Sequence, residues 1–283
     1  MENHRKEEIL SVQHLMYEYQ SGKPVLQDVS ISIGKGEKIA VMGSNGAGKS
    51  TFFLHLNGVL QAENGEIFFH GDKIGKKNLK QLHKHVGFVF QDADSQIIAS
   101  SVQAEVAFGP MNLKLSREEI KDRVNQALDY MDLQEYKERP PHYLSGGEKK
   151  RVSIADIIAM KSEVVLFDEP TAALDPLSAE MLEEVLEKLH QEGKTLLVST
   201  HDVDFAYRWA ERVVIFHQGN IIADDNALSI FQQENILKQA HLKKPEMLTV
   251  YEILLQENLV QIESYPRQAK ELTEVLLKNK EKR

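Results

Sequence analysis

Cysteine is absent from the 283 residues. That excludes disulfides and thiolate metal sites and fits a reducing compartment. Long apolar runs are missing too: nothing approaches the ~20 residues needed to cross a bilayer. The start, Met1-Glu2-Asn3-His4-Arg5-Lys6-Glu7-Glu8, is too polar for a signal peptide. A role at a membrane would therefore require docking onto another subunit. A broad basic stripe is also lacking. With 34 Lys and Arg against 43 Asp and Glu, the formal net charge is −9, and no nucleic-acid partner is expected. The local cluster Lys73, Lys76, Lys77, Lys80 and Lys84 reads as a solvated loop and helix face. There is no long internal repeat and no low-complexity linker.

What is present supports one large domain, or a domain with an appendage: 42% of residues are hydrophobic, enough for a substantial core. Residues 9–33 alternate apolar and polar around a break at Ser21-Gly22-Lys23-Pro24, predicting two strands and a turn. Further strands are predicted at 38–42, 65–69, 86–90, 164–167, 195–199 and 213–216. Helices are predicted at 178–190 and 203–210, and the stretch from about 100 to 160 is mostly helical. Ser116-Arg117-Glu118-Glu119 reads as a capping box opening a helix with Ile120, Val124, Ala127, Leu128 and Met131 on one face. Continuous apolar strands between helices indicate a parallel sheet covered on both faces. Past residue 242 the pattern is helical, around Met247 to Leu255 and Gln268 to Leu277, with Pro266 opening the last segment.

The chemistry starts at Gly43-Ser44-Asn45-Gly46-Ala47-Gly48-Lys49-Ser50-Thr51, between the apolar run Ile39–Met42 and the helix-like Phe52–Leu56. This is the strand, glycine-rich loop and helix of a phosphate-binding G-x-x-x-x-G-K-[ST] motif. Glycines let backbone N–H groups close around phosphate oxygens, and the following helix start favours the same anion. In that motif Lys49 reaches the β- and γ-phosphates and the Ser50 hydroxyl ligates Mg²⁺.

Val164–Phe167 runs into Asp168 and Glu169. A carboxylate at a strand's carboxyl end can hold Mg²⁺, which suits Asp168, and Glu169 can polarise an attacking water. A strand cap before the Pro170 turn is the plainer reading of the same pair. Leu144-Ser145-Gly146-Gly147-Glu148 precedes a helix-like run and offers a second anion site, although Ser-Gly-Gly is commonly just an N-cap. Two phosphate sites on one chain suggest that two chains meet with nucleotide between them.

These motifs, with His201 after Thr195–Thr200, stand in the order seen in ABC-transporter ATPases, which the chain resembles over roughly residues 9–242. The resemblance implies an α/β P-loop cassette with a mixed or parallel sheet core, an antiparallel β part and a helical subdomain at about 92–160. A small helical appendage follows at 243–283. It implies that Leu144–Glu148 is the signature motif completing the partner's ATP site, and that Gln91 is the glutamine loop sensing Mg²⁺ and the γ-phosphate. Asp175 matches the D-loop at the dimer interface, a role compatible with a helix N-cap ahead of Pro176. His201 matches the switch histidine that contacts the γ-phosphate and orients Glu169. Tyr19 matches the aromatic that stacks on adenine, with Tyr17 as a competitor.

A narrower resemblance, carried by Val86–Gln96, Val106–Leu113, Leu144–Arg151 and Ala159-Met160, is to the energy-coupling-factor importer ATPases of cobalt, nickel and vitamin uptake. Ala93, Asp156 and Ala173 depart from that group's usual Pro, small residue, and Gly or Ser. None removes a catalytic group, but Asp156 affects local packing or partner choice.

The resemblance implies an ATP- and Mg²⁺-dependent hydrolase working as a homo- or heterodimer. Its expected partners are a transmembrane coupling subunit, seated near Gln91–Leu115, and a substrate-capture membrane subunit. Its expected place is the cytoplasmic face of the membrane. Three other readings remain: an ABC ATPase of DNA repair or translation, a P-loop kinase or GTPase, and a regulatory cassette that binds ATP without cleaving it. The single cassette without a heptad run, the Ser-Gly-Gly element, and the intact Glu169 and His201 argue against them in turn.

Overall fold

The computed structural model describes residues 6–19, 22–172, 174–262 and 264–281. The sequence expectations for Met1–Arg5, Ser21 and Ala173 lie outside the described residues.

Among the described residues ten strands form two sheets. They are β1 (Glu8–Glu18), β2 (Pro24–Gly34), β3 (Lys38–Met42), β4 (Asn64–Phe69), β5 (Asp72–Lys73), β6 (Val86–Val89), β7 (Val164–Asp168), β8 (Thr195–Ser199), β9 (Arg212–His217) and β10 (Asn220–Asn226). One sheet is antiparallel, ordered β2-β1-β4-β5. The other is ordered β10-β9-β3-β8-β7-β6 and is parallel except for its β10 edge. The two-residue side-chain period of the central strands divides the interior. Ile39, Val41, Val164, Leu166, Leu197 and Val214 pack toward the antiparallel sheet. Ala40, Met42, Val165, Phe167, Leu196 and Val198 pack among the helices. This two-faced burial is why these strands read as unbroken apolar runs.

The helices are α1 (Lys49–Leu56), α2 (Leu79–His85), α3 (Val102–Asn112), α4 (Arg117–Tyr130), α5 (Gly146–Met160), α6 (Pro176–Gln191), α7 (Val203–Trp209), α8 (Ala227–Phe231), α9 (Glu234–Gln239), α10 (Glu246–Gln256) and α11 (Ala269–Glu281). Helices α3, α4 and α5 pack on one another between β6 and β7 of the chain order. Val124, Ala127, Leu128 and Met131 are buried as the α4 pattern predicts. The capping box expected at Ser116 is only half formed. Ser116 Oγ accepts the Glu119 N–H at 3.2 Å, but the Glu119 carboxylate turns to Arg123 at 2.7 Å. A full reciprocal box occurs instead at Ser145 and Glu148.

Residues past 242 do not stand clear of the rest. Leu248 belongs to the main core, the Glu246 N–H donates to Asp204 Oδ1 at 2.7 Å, and Arg267 Nη1 donates to the Ala210 carbonyl at 2.7 Å. Tyr251, Val260 and Val275 form a small core of their own.

Both departures inside the described residues have a structural setting. Ala93 is the buried first residue of a 3-10 turn, Ala93–Ser95, a position that Pro and Ala both fit. Asp156, on α5, faces α3 and accepts the Gly109 N–H at 3.2 Å. Gly109 makes that approach possible, since a Cβ there would lie 2.4 Å from Met160 Cγ. Burial pushes the Asp156 carboxyl up to about 7, against the Gly109 bond and with Glu105 adding to the rise. Between about pH 4 and 7 the unfolded chain releases this proton first, so the group lowers stability as pH rises through that window. Asp156→Asn keeps an acceptor for Gly109 and carries no charge. Because the residue retains partial solvent contact, the variant is expected to gain only about 1–2 kcal/mol at pH 8. The gain should vanish near pH 4, which urea unfolding at the two pH values would check.

Candidate functional site

Four parallel strands end on the same edge of the large sheet, and the singled-out residues follow them: Gly43 after β3, Gln91 after β6, Asp168 and Glu169 at β7, and His201 after β8. In open α/β sheets this carboxyl edge is where ligands bind.

The Gly43–Thr51 loop connects β3 to α1. Gly43 has φ 141°, and a Cβ there would sit 2.2 Å from the Phe216 carbonyl oxygen. Gly48 caps α1 at φ 108°, where a Cβ would lie 2.8 Å from the Val25 oxygen. Glycine is thus required at both positions by conformation and by space. The Gly219 N–H donates to the Ala47 carbonyl at 3.0 Å, tying the loop to the β9–β10 turn. Ser44 is half-buried, whereas Asn45, Gly46 and Ser50 are exposed.

Lys49 is buried, and its Nζ donates to the carbonyls of Gly43 at 2.7 Å and Ser44 at 3.3 Å. Glu169 Oε1 lies 3.8 Å from it. Burial lowers the ammonium's pKa, while Glu169 and then Asp168 oppose that shift. Asp168 and Glu169 are themselves buried. Glu169 adopts a left-handed backbone, φ 44°, which costs a non-glycine residue about 1–3 kcal/mol and is found where surrounding contacts impose it. Here the contacts come from Ser199, paired with Asp168 across β7 and β8. Its Oγ donates to Asp168 Oδ1 at 2.5 Å and accepts the Glu169 N–H at 2.9 Å. His201 Nδ1 meets Glu169 Oε2 at 2.8 Å, so with the carboxylate ionised that nitrogen carries the proton. The imidazole is otherwise largely exposed, leaving Nε2 turned to solvent. The Thr200 N–H donates to the Val41 carbonyl at 3.1 Å and so holds this turn against β3.

Tyr19 and Tyr17 separate clearly. Tyr17 packs edge-on against His55, with ring centroids 4.6 Å apart. Tyr19 is 43% exposed and its hydroxyl lies 3.3 Å from Thr51 Oγ1, beside the loop.

The remaining residues gather elsewhere. Leu144 is buried, and Ser145 opens α5 with a reciprocal cap. The Ser145 N–H donates to Glu148 Oε2 at 2.6 Å and holds that carboxyl below the usual range, against a smaller opposing effect of burial. Gly146 has nothing within 4 Å of where a Cβ would sit. Gly147 adjoins Ser178 of α6, at 3.2 Å by the same measure. Asp175 caps α6, accepting from the Ser178 hydroxyl at 2.6 Å and its N–H at 3.0 Å, which lowers the exposed carboxyl's pKa. The starts of α5 and α6 thus lie side by side.

Ser199 and Lys150 were not singled out from sequence. Lys150 is buried and donates to the carbonyls of Phe90 and Gln91 at 2.8 and 2.7 Å. Burial lowers its pKa to about 8, against Asp168 and Asp92.

The donor set fits a metal-bound nucleotide. Among the described residues no group of three or more His, Asp or Glu side chains forms a metal cluster. The site has instead the buried Asp168 carboxylate, with buried Glu169 beside it, and the exposed Ser50 hydroxyl. Mg²⁺ suits such a site because it takes few protein oxygens and completes its shell with phosphates and water.

A family model described as ABC transporter matches residues 26–172. The energy-coupling factor transporter ATP-binding protein of Methanocaldococcus jannaschii is 41% identical over 257 residues, covering 90% of this chain and 92% of that one. The solved structure of cbiO1 from Clostridium perfringens, described as part of the ABC transporter complex cbiONQ, superposes with a TM-score of 0.74. It is 35% identical, covering 89% of this chain and all of that one. A dimeric ATP-binding cassette solved with ADP and Pi gives a TM-score of 0.71 at 28% identity, covering 77% of this chain and 99% of that one. The fold is therefore the ABC form of the P-loop NTPase, and the chain belongs to the ABC transporter ATPases, which couple ATP hydrolysis to transport.

Proposed function

We propose that this ABC transporter ATPase is the energy-coupling subunit of an energy-coupling-factor importer, driving uptake of a cobalt or nickel ion or a vitamin through separate membrane subunits. The observation that carries the enzymatic part is the contiguous group Lys49, Glu169 and His201, joined at 3.8 and 2.8 Å on the sheet edge above the phosphate loop. The assignment draws on relatives named energy-coupling factor transporter ATP-binding proteins, 40 to 42% identical over most of the chain.

On this reading residues 9–242 act as the catalytic cassette, with 92–160 as its helical part and 243–283 as an appendage. Two chains clasp two ATP molecules. The Gly43–Thr51 loop of one holds the phosphates through its backbone N–H groups and Lys49, and Tyr19 stacks on the adenine. Ser145, Gly146 and Gly147 of the other chain close over the γ-phosphate, with Leu144 and Glu148 bracing that turn and Asp175 at the seam. Ser50, Asp168 and Gln91 would hold Mg²⁺, which offsets charge on the β- and γ-phosphates. Glu169 orients and deprotonates the attacking water, and His201 keeps the carboxylate turned toward it while facing the γ-phosphate. Closure adds charge-assisted hydrogen bonds of ~1.5–3 kcal/mol each. Several together supply the ~5.5 kcal/mol needed for near-complete switching. Cleavage removes the shared anion, and the pair opens.

No helix among the described residues is long and apolar enough to cross a membrane. By likeness to the energy-coupling-factor relatives, the proposed place is peripheral, on the cytoplasmic face, with the coupling subunit near Gln91–Leu115 and no nucleic-acid partner. Co-expression with its membrane partners and reconstitution in vesicles tests this. The expected result is ATP-driven uptake of radiolabelled cobalt, nickel or a vitamin, lost in Ser145→Arg, whose added bulk blocks closure. ATPase activity stimulated by nucleic acid, without membrane partners, would contradict it.

A further inference from the structure

We infer that Lys150 is a positioning residue that ties the two ATP sites together, by fastening the backbone at Gln91 to the helix that carries Ser145–Gly147. The inference rests on the reading that Gln91 serves its own chain's nucleotide while the signature turn serves the partner's. It adds the physical link between them.

Strand β6 ends at Val89, so the carbonyls of Phe90 and Gln91 leave the sheet ladder. Both are taken up by one buried ammonium, Lys150 Nζ, at 2.8 and 2.7 Å. Lys150 lies three and four residues beyond Gly147 and Gly146 on α5, one helical turn from the signature glycines. A shift of the first turn of α5 therefore carries the Gln91 backbone with it. Asp168 and Asp92 face the same ammonium and favour its charged form.

The far end of the segment is fastened as well. Buried Glu105, on α3, accepts the N–H groups of Ile98 and Ala99 on one oxygen, at 2.9 and 2.7 Å. Lys149 Nζ reaches Asp94 at 2.5 Å. Residues 90–99 thus hang between α5 and α3 on bonds that use one buried cation and one buried anion. Packing alone requires neither charge: a methionine fits the same apolar stem and makes none of the carbonyl bonds.

The test compares the full chain with Lys150→Met and Lys150→Arg. Binding of a fluorescent ATP analogue to the single protomer is expected to stay within about 2-fold, because the Lys150 ammonium bonds to the Phe90 and Gln91 carbonyls and leaves the phosphate loop's own groups in place. In Lys150→Met, the ATP concentration for half-maximal pairing, measured by sedimentation in a Glu169→Gln background, should rise about 10-fold. The Hill coefficient of hydrolysis, with Glu169 intact, should fall from about 2 to about 1. Lys150→Arg keeps charge and donors and should recover most of both. Unchanged pairing and Hill coefficient in Lys150→Met, or equal damage in Met and Arg variants, would overturn the inference. Absence of pairing and hydrolysis in the unaltered chain would instead defeat the functional reading beneath it. If circular dichroism shows Lys150→Met unfolded, Glu105→Met, which removes the acceptor for Ile98 and Ala99 at the other end, should lower the Hill coefficient in the same way; an unchanged value there overturns the inference too.

Discussion

Glu169→Gln is expected to slow MgATP hydrolysis by about 10²-fold or more while leaving nucleotide binding intact. The amide matches the carboxylate in size and can accept the His201 Nδ1 proton through its oxygen, so the 2.8 Å contact can persist. It cannot take a proton from water at neutral pH. The left-handed backbone at Glu169 is fixed by Ser199 through a main-chain N–H and does not depend on the side chain. The variant should therefore keep the shape of the site and, on the proposed role of Glu169, lose its base. Phosphate release separates this from a binding defect when read beside the affinity for a fluorescent ATP analogue. Unchanged turnover would remove Glu169 from the chemistry.

Lys49→Ala is expected to weaken ATP binding by about 10²- to 10⁴-fold. On the proposed role the variant loses two charge-assisted hydrogen bonds to phosphate oxygens, each worth ~1.5–3 kcal/mol. A second effect acts in the same direction. The ammonium is the cation beside Glu169, at 3.8 Å, and it feels Asp168 as well. Its loss leaves two buried carboxylates facing a polyphosphate with less positive charge between them. Lys49→Arg should not restore affinity, since a planar guanidinium does not reproduce the single buried ammonium that meets the Gly43 and Ser44 carbonyls. Calorimetric titration with MgATP checks both variants. Affinity within about 3-fold of the unaltered chain would contradict the assignment.

Features carried by contiguous residues could be read before any coordinates. The Gly43–Thr51 loop is legible because glycine placement, lysine and flanking strand and helix all occur within a few residues. Strands such as Val164–Asp168 are legible because both of their faces are buried and leave no polar interruption. Strand β10 was missed: Asn220–Asn226 has a short apolar stretch followed by acids, as befits an exposed edge. The readable hairpin signal was Gly219-Asn220 after an apolar strand; in the structure Gln218 and Gly219 are both left-handed. Helices α8 and α9 were missed because five and six residues are too short to show a period.

Within the site, the Glu169–His201 pairing joins residues 32 apart in sequence and was anticipated only through motif order. Ser199 and Lys150 escaped for a different reason. Both act on main-chain groups, which carry no side-chain pattern: Ser199 on the Glu169 N–H as well as on Asp168, Lys150 on two carbonyls. The half-formed box at Ser116 shows the converse. There the pattern was present, but an i,i+4 arginine took the carboxylate that would have completed it.

The most direct test of the account is sedimentation of the Glu169→Gln chain, with its membrane partners present, under saturating MgATP. Two cassettes per complex held together by ATP, and parted when ADP replaces it, is the predicted result. Cassettes that never associate with each other at any ATP concentration would contradict it.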